Sequence, residues 1–369
     1  MTASLTEPTP QSVSRDLAGL LFFGTLPAPD AAEDALAPGE RCRLEVERVA
    51  RHLAGSDRTP DSLLVLDAVY DPSYADAGLV EKALADALPD GARPCLTLIP
   101  VLPGALGERG LALQGASAVE PVTTVDTARF PRAATAGNLV AVAGHAVDTD
   151  DDMVTQTSTV MDQVAERLAE YGAAWDDAVR FDVFYRAEGT KEGWAVNARE
   201  RARRFTEPGP ATTGIPVGHL PGRAKILLRT LAVRGARPLG LRAESWPEGH
   251  WDWPFHLPYK HGIGAADTAF IGGQVSLGPS AEVLDPDDLA TQTETSIRNI
   301  VKVAAGLDKG PDSVLRLMAF YQHRGPESAR TVREAADRVL GDHPYELSLI
   351  GLPYLAYERM IVEIEAELR

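Results

Sequence analysis

Three glutamates near the end of the chain alternate with apolar residues. The segment 362–367 reads Val-Glu-Ile-Glu-Ala-Glu, which is typical of a β-strand with two different faces. A carboxyl group such as that of Glu363, turned into an apolar crevice, has a raised pKa and can protonate a substrate carbon or position a water molecule. An amphipathic strand with one wet face shows the same alternation. The pattern therefore offers a candidate acid–base group and a purely structural alternative.

A set of five residues earlier in the last unit carries groups that suit an anionic ligand. Tyr259 can hydrogen-bond a carboxylate or an attacking water, and Lys260 and His261 can supply positive charge. Gly272 and Gly273 allow backbone N–H groups to approach an anion closely. The structural alternatives are aromatic packing for the tyrosine, solvation on a loop for the two basic residues, and close strand packing for the glycines.

The connector 235–253 contains three of the five tryptophans, Trp246, Trp251 and Trp253. Such a cluster beside proline and glycine can form the wall of a ligand pocket. It can equally be a plug that packs over a sheet edge.

The elements that position these residues come from a threefold repeat. Segments 153–185 and 289–321 align without a gap at an offset of 136, and 60–62 matches 311–313 at an offset of 251. Three units in 369 residues give about 123 residues each, the size of a small domain. A triplicated chain can close on itself as a pseudo-trimer, and each crevice between units is then a potential site.

Each unit has the same order of apolar periodicities and breakers, which predicts a β(β)αβαββ arrangement with helices on one face of a mixed sheet. The fold class is therefore α/β (α+β), with units at 1–120, 127–236 and 252–369. In the middle unit the predicted helices are 153–172 and 191–205, and the predicted strands are 139–143, 177–185, 213–219 and 225–234. In the outer units the predicted helices are 39–54, 77–88, 287–305 and 326–340.

Composition excludes several classes of function. A net charge of −17 and a pI near 4.9 argue against nucleic-acid binding, which needs clustered lysine and arginine. No apolar run reaches the ~18–20 residues of a membrane span, and the N-terminus does not read as a secretion signal. Only Cys42 and Cys95 are present, which favours a reducing compartment, and a cytoplasmic location is expected. No metal-type cluster is evident, so neither a metal nor a cofactor is expected.

Five short motifs, taken in order, resemble those of one family. They are 136–145 and 196–198 in the middle unit, and 258–259, 272–274 and 362–366 in the last. The set is similar to the Rid (YjgF) superfamily, whose single-domain members are homotrimers with ligand sites between subunits. The resemblance implies three Rid/chorismate-mutase-like units in an intrachain pseudo-trimer, with a degenerate first unit.

Rid deaminases hold the substrate carboxylate with an arginine that follows a Pro-Ala pair, a task that suits the planar guanidinium. By resemblance that position is Arg93 in the first unit, Thr212 in the middle unit and about Glu346 in the last.

The family's catalytic carboxylate corresponds to Glu363 in the last unit, to Leu227 in the middle unit and to Ala112 in the first. Its ring tyrosine corresponds to Tyr259 in the last unit and to Phe130 in the middle one. No unit keeps a full site, so at most one crevice, built mainly from the last unit, is expected to be active.

The chain also resembles the chorismatases in architecture. Residues 210–215 read Pro-Ala-Thr-Thr-Gly-Ile, which is similar to a turn of that family, and Glu363 falls on their catalytic glutamate. The stretch after 272–274 departs from their pattern, and the segment that follows Tyr259 lacks their arginine.

These resemblances imply a cofactor-independent enzyme that hydrolyses an enamine or imine of a small carboxylate-bearing substrate at one pocket between units. The alternatives are chorismatase-like cleavage with release of pyruvate, and a non-catalytic ligand-binding or scaffold protein. The chain is expected to be a monomeric pseudo-trimer, with further self-association left open. The predicted catalytic residues are Glu363 and Tyr259, and the predicted substrate-binding residues are Gly272, Gly273, Gln274, Arg93, Lys260, Thr212, Thr213 and Gly214.

Overall fold

The computed structural model describes residues 7–24, 36–187 and 189–369. In these ranges the chain forms seven α-helices and fifteen strands, and the strands make three separate sheets. The three sheets confirm the predicted α/β class and the three-unit arrangement. Within the same ranges, no helix combines the length and apolar character needed to cross a membrane.

The first sheet has four strands in the order β1-β4-β2-β3. Only β2 and β3 are parallel neighbours. The elements of this unit are α1 (Pro10–Ala18), β1 (Leu21–Gly24), α2 (Pro38–Ala54), β2 (Leu63–Tyr70), α3 (Ala77–Ala87), β3 (Cys95–Pro100) and β4 (Leu111–Ser117).

The second sheet has five strands in the order β5-β6-β9-β7-β8, with β7 and β8 parallel. The elements of this unit are β5 (Ala133–Ala136), β6 (Leu139–His145), α4 (Met153–Glu170), β7 (Ala178–Arg186), α5 (Lys191–Ala202), β8 (Ala211–Val217) and β9 (Ile226–Val233).

The third sheet repeats this plan with one added edge strand, in the order β10-β11-β12-β15-β13-β14. Its elements are β10 (Arg242–Ser245), β11 (Gly262–Ala265), β12 (Thr268–Gln274), α6 (Leu289–Ala305), β13 (Val314–Gln322), α7 (Glu327–Leu340), β14 (Glu346–Leu352) and β15 (Val362–Leu368).

Local signals explain where the main helices begin and end. Asp152, Thr190 and Asp288 each accept a backbone N–H bond at the start of a helix, which satisfies an otherwise unpaired donor. The helix predicted over 153–172 ends two residues early, at a turn in which Gly172 has a φ of 66°. Helix α1 and strand β10 were not predicted, since both are short.

Equivalent positions of the three units converge on a central axis. At the offsets of the repeat, Asp67 and Asp182 both correspond to Met318. Arg229 donates from Nε to Asp182 at 2.7 Å and from Nη1 to Asp67, while Gln114 Nε2 lies 3.3 Å from Asp67 and 3.4 Å from the Met318 sulfur. These contacts join all three sheets, so the inner sheet faces pack against one another as in a trimer.

A buried ion network extends along this axis. Arg180 contacts Glu365 and Glu367, and Arg316 donates to Glu367 at 2.6 and 2.9 Å. Buried charges are tolerated only when they are paired and hydrogen-bonded, so this network favours one register between the units.

Candidate active site

The middle and last units meet along a seam between β8 and the residues around β12. The Gly209 N–H donates to the Pro258 carbonyl at 2.7 Å, and the Lys260 N–H donates to Pro210 at 3.3 Å. A Cβ on Gly272 would lie 2.5 Å from the Thr212 carbonyl oxygen. The absence of a side chain at Gly272 is therefore needed for close strand packing at this seam.

A pocket opens at this seam, and its empty space, including the part that is open to solvent, is about 500 Å³. It brings together five of the ten residues predicted from the sequence, namely Glu363, Tyr259, Gly273, Thr212 and Gly214. The remaining lining residues are aromatic or aliphatic, except for one arginine.

Glu363 lies on β15 opposite Phe320, and its side chain is buried. Burial raises the pKa of its carboxyl to about 8, and the nearby Glu365 acts in the same direction. The Gly214 backbone N–H and the charge of Arg201 oppose this rise without cancelling it. At pH 7 the protonated form therefore exceeds the ionised form about tenfold.

Gly273 provides the space that the Glu363 carboxyl occupies. A Cβ at this position would overlap Oε1 of Glu363. The β12–β15 pairing is also irregular between Ile271 and Gln274, where the register shifts. A bulge of this kind redirects the side chains beside it. The strand is thus shaped around the carboxyl.

Arg201 on α5 is a pocket residue that the sequence analysis missed. Its side chain is almost fully buried, and Nε donates to the Asn197 carbonyl at 3.3 Å. Its Nη1 has no hydrogen-bond partner among the residues that the structure describes, and no ion pair is formed to any of them. Burial lowers the pKa of Arg201, while Tyr259 and Glu363 act to raise it. An unpaired buried guanidinium is expensive unless an anion binds to it.

The sequence does contain a signal for Arg201. Trp194, Ala198 and Arg201 recur at positions i, i+4 and i+7, which places them on one face of a helix. A basic run such as 199–204 in an acidic chain can pair with carboxylates of a neighbouring unit. Arg203 and Arg204 do pair, but with residues of their own unit, whereas Arg201 points into the pocket.

Tyr259 is fully buried, and its hydroxyl has no partner within the described part of the chain. Its ring packs at 5.4 Å from Phe205 and 6.3 Å from Trp253, and the Arg201 guanidinium lies 6.0 Å from its centroid. Burial raises the pKa of the phenol to about 12, so it is a hydrogen-bond donor at neutral pH. Both alternatives for this residue therefore apply, since the ring packs and the hydroxyl remains available.

Of the three connector tryptophans, two form part of the pocket wall and one packs behind it. Trp251 and Trp253 line the pocket. Trp246 packs behind them, 5.5 Å from Trp253 and 4.7 Å from His261. The His261 Nε2 lies 3.0 Å from the Trp251 carbonyl, and burial lowers the pKa of His261 to about 3. His261 is thus a neutral part of the wall rather than a cation for the ligand.

Lys260 and Gln274 lie outside the pocket lining. The Lys260 ammonium is 2.8 Å from Glu207 and 3.4 Å from Glu244, so its charge is already paired. The Gln274 side chain bridges His250 at 2.8 Å and His261 at 3.3 Å, and thereby holds the aromatic wall. The structure gives neither residue direct access to a ligand in this pocket.

Thr213 and Arg93 also lie away from the pocket. Thr213 lies between two lining residues on β8, and alternation along the strand turns it to the opposite face. Arg93 donates to the carbonyls of Asp126 and Ala128 at 2.5 and 2.7 Å, near the seam between the first and middle units. It is therefore committed to the backbone of the connector.

Strand register corrects the positions assigned to the family's arginine. Thr212 pairs with Phe181, and the offset of 136 carries Phe181 onto Leu317, which pairs with Leu347. The counterpart of Thr212 in the last unit is thus Leu347, one residue after Glu346. In the first unit the same argument gives Leu96, whereas Arg93 precedes β3.

The corresponding crevice between the first and middle units has a different character. Leu227 lines it at the position that Glu363 occupies in the last unit, together with Phe130 and Leu96. It therefore has no carboxyl at that position, and its charged lining residues are Glu81 and Arg132. Across the described ranges, no group of three or more histidine, cysteine or acidic residues could hold a metal ion. Cys95 is buried, and burial raises its thiol pKa, which disfavours a nucleophilic role.

Comparison with family models matches residues 123–234 to the family described as Endoribonuclease L-PSP. The match covers the middle unit from the segment before β5 to the residue after β9. The chain carries a Rid (YjgF) family unit. The similarity of residues 123–234 to this family supports a role in binding or processing a small molecule. No curated protein matches the chain.

Several solved structures are similar to about one third of the chain. They include a member of the YjgF/YER057c/UK114 family from Mycobacterium tuberculosis, with 20% identity, a TM-score of 0.29, and coverage of 34% of this chain and 98% of that one. The Rid-family protein YyfA from Yersinia pestis has 19% identity, a TM-score of 0.30 and coverage of 34% and 98%. TdcF from E. coli, with bound serine, has 17% identity, a TM-score of 0.30 and coverage of 34% and 97%.

Proposed function

We propose that this protein hydrolyses the enamine or imine of a small carboxylic acid in the pocket between its middle and last units. One observation carries the proposal: a buried carboxyl that is protonated at neutral pH shares a pocket with a buried, unpaired guanidinium. The first group is a proton donor, and the second is a binding group for an anion.

Arg201 positions the substrate. Its open N–H groups suit a carboxylate, which a guanidinium can bind through two parallel hydrogen bonds. The Tyr259 hydroxyl is a second donor without a partner in the described residues, and both groups are protonated at neutral pH. Neither group has to give up an existing partner for the substrate.

Glu363 performs the proton transfers. Its carboxyl donates a proton to the substrate's enamine carbon, and the C=C electron pair forms the new C–H bond while the nitrogen becomes an iminium. An imine joins at this point, when Glu363 donates its proton to the imine nitrogen and becomes ionised. A water oxygen then bonds to the iminium carbon as the ionised Glu363 accepts its proton. Glu363 then donates this proton to the amino nitrogen, the C–N bond breaks with its electron pair on nitrogen, and the hydroxyl proton returns to Glu363 as the C=O bond forms. Overall, substrate plus water gives a 2-oxo acid plus ammonia, and Glu363 is again protonated.

The pocket fits one carboxylate better than two. Chorismate carries two carboxylates and needs two cationic groups, whereas Arg201 is the one cationic side chain among the described lining residues. Lys260, the other candidate, is paired with two glutamates. This count favours hydrolysis of a monocarboxylate over chorismatase-like cleavage.

The test is a turnover assay on imino acids made in situ by an amino-acid oxidase, with the release of the 2-oxo acid and ammonia followed by mass spectrometry. Glu363→Gln should lower kcat by about 10² or more. Arg201→Gln should raise KM by about 10- to 100-fold, as expected for the loss of hydrogen bonds to a charged group. Arg203→Gln is the matched control, because the Arg203 side chain is exposed, follows the last residue of the same helix and pairs with Glu200.

Chorismate belongs in the same panel. Release of pyruvate that depends on Glu363, without turnover of any imino acid, would overturn the proposal in favour of the chorismatase alternative. Ligand binding without turnover by the wild type would indicate a binding protein instead.

A further inference from the structure

We infer that the substrate carries an apolar side chain of ring size, such as an aryl group, in addition to its carboxylate. This inference rests on the proposed function, since it names the substrate class for the same pocket. It is argued from how the polar and apolar parts of the lining are arranged.

The polar groups of the lining belong mainly to the middle unit and to β15. Arg201, Thr212 and Gly214 come from α5 and β8, and Glu363 comes from β15. The Gly214 Cα faces Arg201 Nη2, which lies 3.5 Å from where a Cβ would be. These polar groups can therefore contact the carboxylate and the reacting carbon of a substrate.

Aromatic rings form much of the remaining wall. Trp194, Trp251, Trp253 and Tyr357 all line the pocket beside Tyr259. Rings of this kind offer large flat contact areas and prefer offset or edge-to-face partners, which an aromatic ligand supplies. Such walls are typical of ligand sites in which a few polar groups fix orientation.

Aliphatic side chains complete the lining. They are Leu257, Val275, Leu277, Ala356 and Met360, none of which has a polar group to offer. A polar substrate side chain placed against them would lose its hydration without gaining a hydrogen bond. A methyl side chain would leave most of these apolar side chains without a contact. A large apolar side chain avoids both penalties.

The aromatic wall is built in advance of binding. The Trp253 ring stacks on His261 with centroids 5.0 Å apart and planes 8° apart. His261 is held in turn by the Trp251 carbonyl and by Gln274. On the other side, Trp194 packs edge-on at 5.9 Å from Tyr357. A wall fixed by such contacts needs little ordering when a ligand binds, which favours affinity.

The test measures the binding of unreactive acids by calorimetry, which keeps it independent of turnover. The probes are butyrate, 3-phenylpropionate and 3-phenylpropionamide. We expect 3-phenylpropionate to bind at least about tenfold more tightly than butyrate, because each added carbon in an apolar pocket contributes a factor of roughly 10 or more. The amide should bind at least about tenfold more weakly than the acid, because it lacks the charge that Arg201 recognises.

Two tryptophan variants test whether the preference for 3-phenylpropionate over butyrate depends on the pocket wall. Trp253→Ala removes a half-buried lining ring and should bring the ratio of the two acid affinities close to one. Trp246→Ala is the matched control, because Trp246 belongs to the same aromatic cluster but does not line the pocket. It should leave the ratio unchanged.

The outcomes separate the two proposals. Equal affinity for butyrate and 3-phenylpropionate, no binding of 3-phenylpropionate, or an equal effect of the two tryptophan variants overturns the inference. If small and aryl imino acids are hydrolysed with the same kcat/KM, the inference fails while the proposed function stands. If the aryl acid is preferred but no imino acid is turned over, the proposed function fails while the ligand class stands.

Discussion

Replacing Glu363 with glutamine should make the protein more stable at alkaline pH. The pKa of this carboxyl is about 8 in the folded protein, against an ordinary value of 4.5. Between these two pH values the folded state keeps the proton, whereas the unfolded state releases it. The free energy of unfolding therefore falls as the pH rises from about 4.5 to about 8. Below this window the carboxyl is neutral in both states, and above it the full penalty of a buried charge applies.

The magnitude follows from the size of the pKa difference. At about 1.4 kcal/mol for each pH unit, the two values for Glu363 correspond to an upper figure of about 5 kcal/mol. Because the pocket is open to water, about 2–5 kcal/mol is expected. Glutamine keeps the shape of the protonated carboxyl and cannot ionise. Glu363→Gln should thus match the wild type within about 1 kcal/mol at pH 5 and exceed it by about 2–5 kcal/mol at pH 9.

The assay is urea unfolding followed by tryptophan fluorescence at pH 5, 7 and 9. The difference between variant and wild type removes most of the contribution of other titrating groups, including Glu365, whose pKa burial also raises. Glu358→Gln is the control, because Glu358 is exposed on the preceding loop. If Glu363→Gln and the wild type have the same urea midpoint from pH 5 to pH 9, the carboxyl is not held in a desolvated site, and the argument for a neutral acid is wrong.

Three further predictions concern the pocket and the contacts between units. Gly273→Ala should lower kcat by about 100-fold, because the new methyl group displaces the Glu363 carboxyl. Gly264→Ala is the control and should have normal kinetics, because its Cβ would meet atoms no closer than 3.5 Å. Equal activity of the two variants would contradict the role of Glu363 as the acid. Arg229→Met should lower the free energy of unfolding by about 3–5 kcal/mol, because it leaves the buried carboxylates of Asp67 and Asp182 without this partner. Thermal unfolding measures the effect, and an unchanged Tm would argue against the axial ion network. Lys191 lies 5.1 Å from the ring of the lining residue Tyr357, and Arg199 lies 4.3 Å from the ring of Phe255, which packs on the lining residue Trp194, so the affinity for 3-phenylpropionate should fall as salt rises. Changing both to glutamine should reduce that dependence by about half. A dependence that persists in full would exclude these two charges as its source.

Several features of the fold followed from patterns that can be read along the linear sequence. The offset of 136 superposes Phe184-Tyr185 on Phe320-Tyr321, and the strands β7 and β13 that contain these pairs occupy matching places in their sheets. The helices predicted to begin at 153 and 191 do begin there, as α4 and α5. Repeats and hydrophobic periodicities are properties of continuous segments, so they can be recognised without knowing which segments pack together.

The candidate site was only partly predictable, because its residues come from segments that are far apart in the sequence. The alternation at 362–367 indicates that Glu363 shares a face with Glu365 and Glu367, but it does not say what that face meets. In the structure Glu363 enters the pocket, whereas the other two glutamates join the axial ion network. The direction in which Lys260 points was decided by Glu207 and Glu244, which come from two other segments.

The sequence by itself determined the threefold repetition, the α/β class of each unit, and the strand, glycines and tyrosine from which one crevice is built. Only the tertiary structure decided which crevice contains a complete set of groups, because Arg201 on a helix of the middle unit meets Glu363 on a strand of the last unit through packing. The protonation of Glu363 also depends on the structure. A carboxyl's pKa follows from its loss of water and from the charges around it, and both exist only once the units have closed on one another.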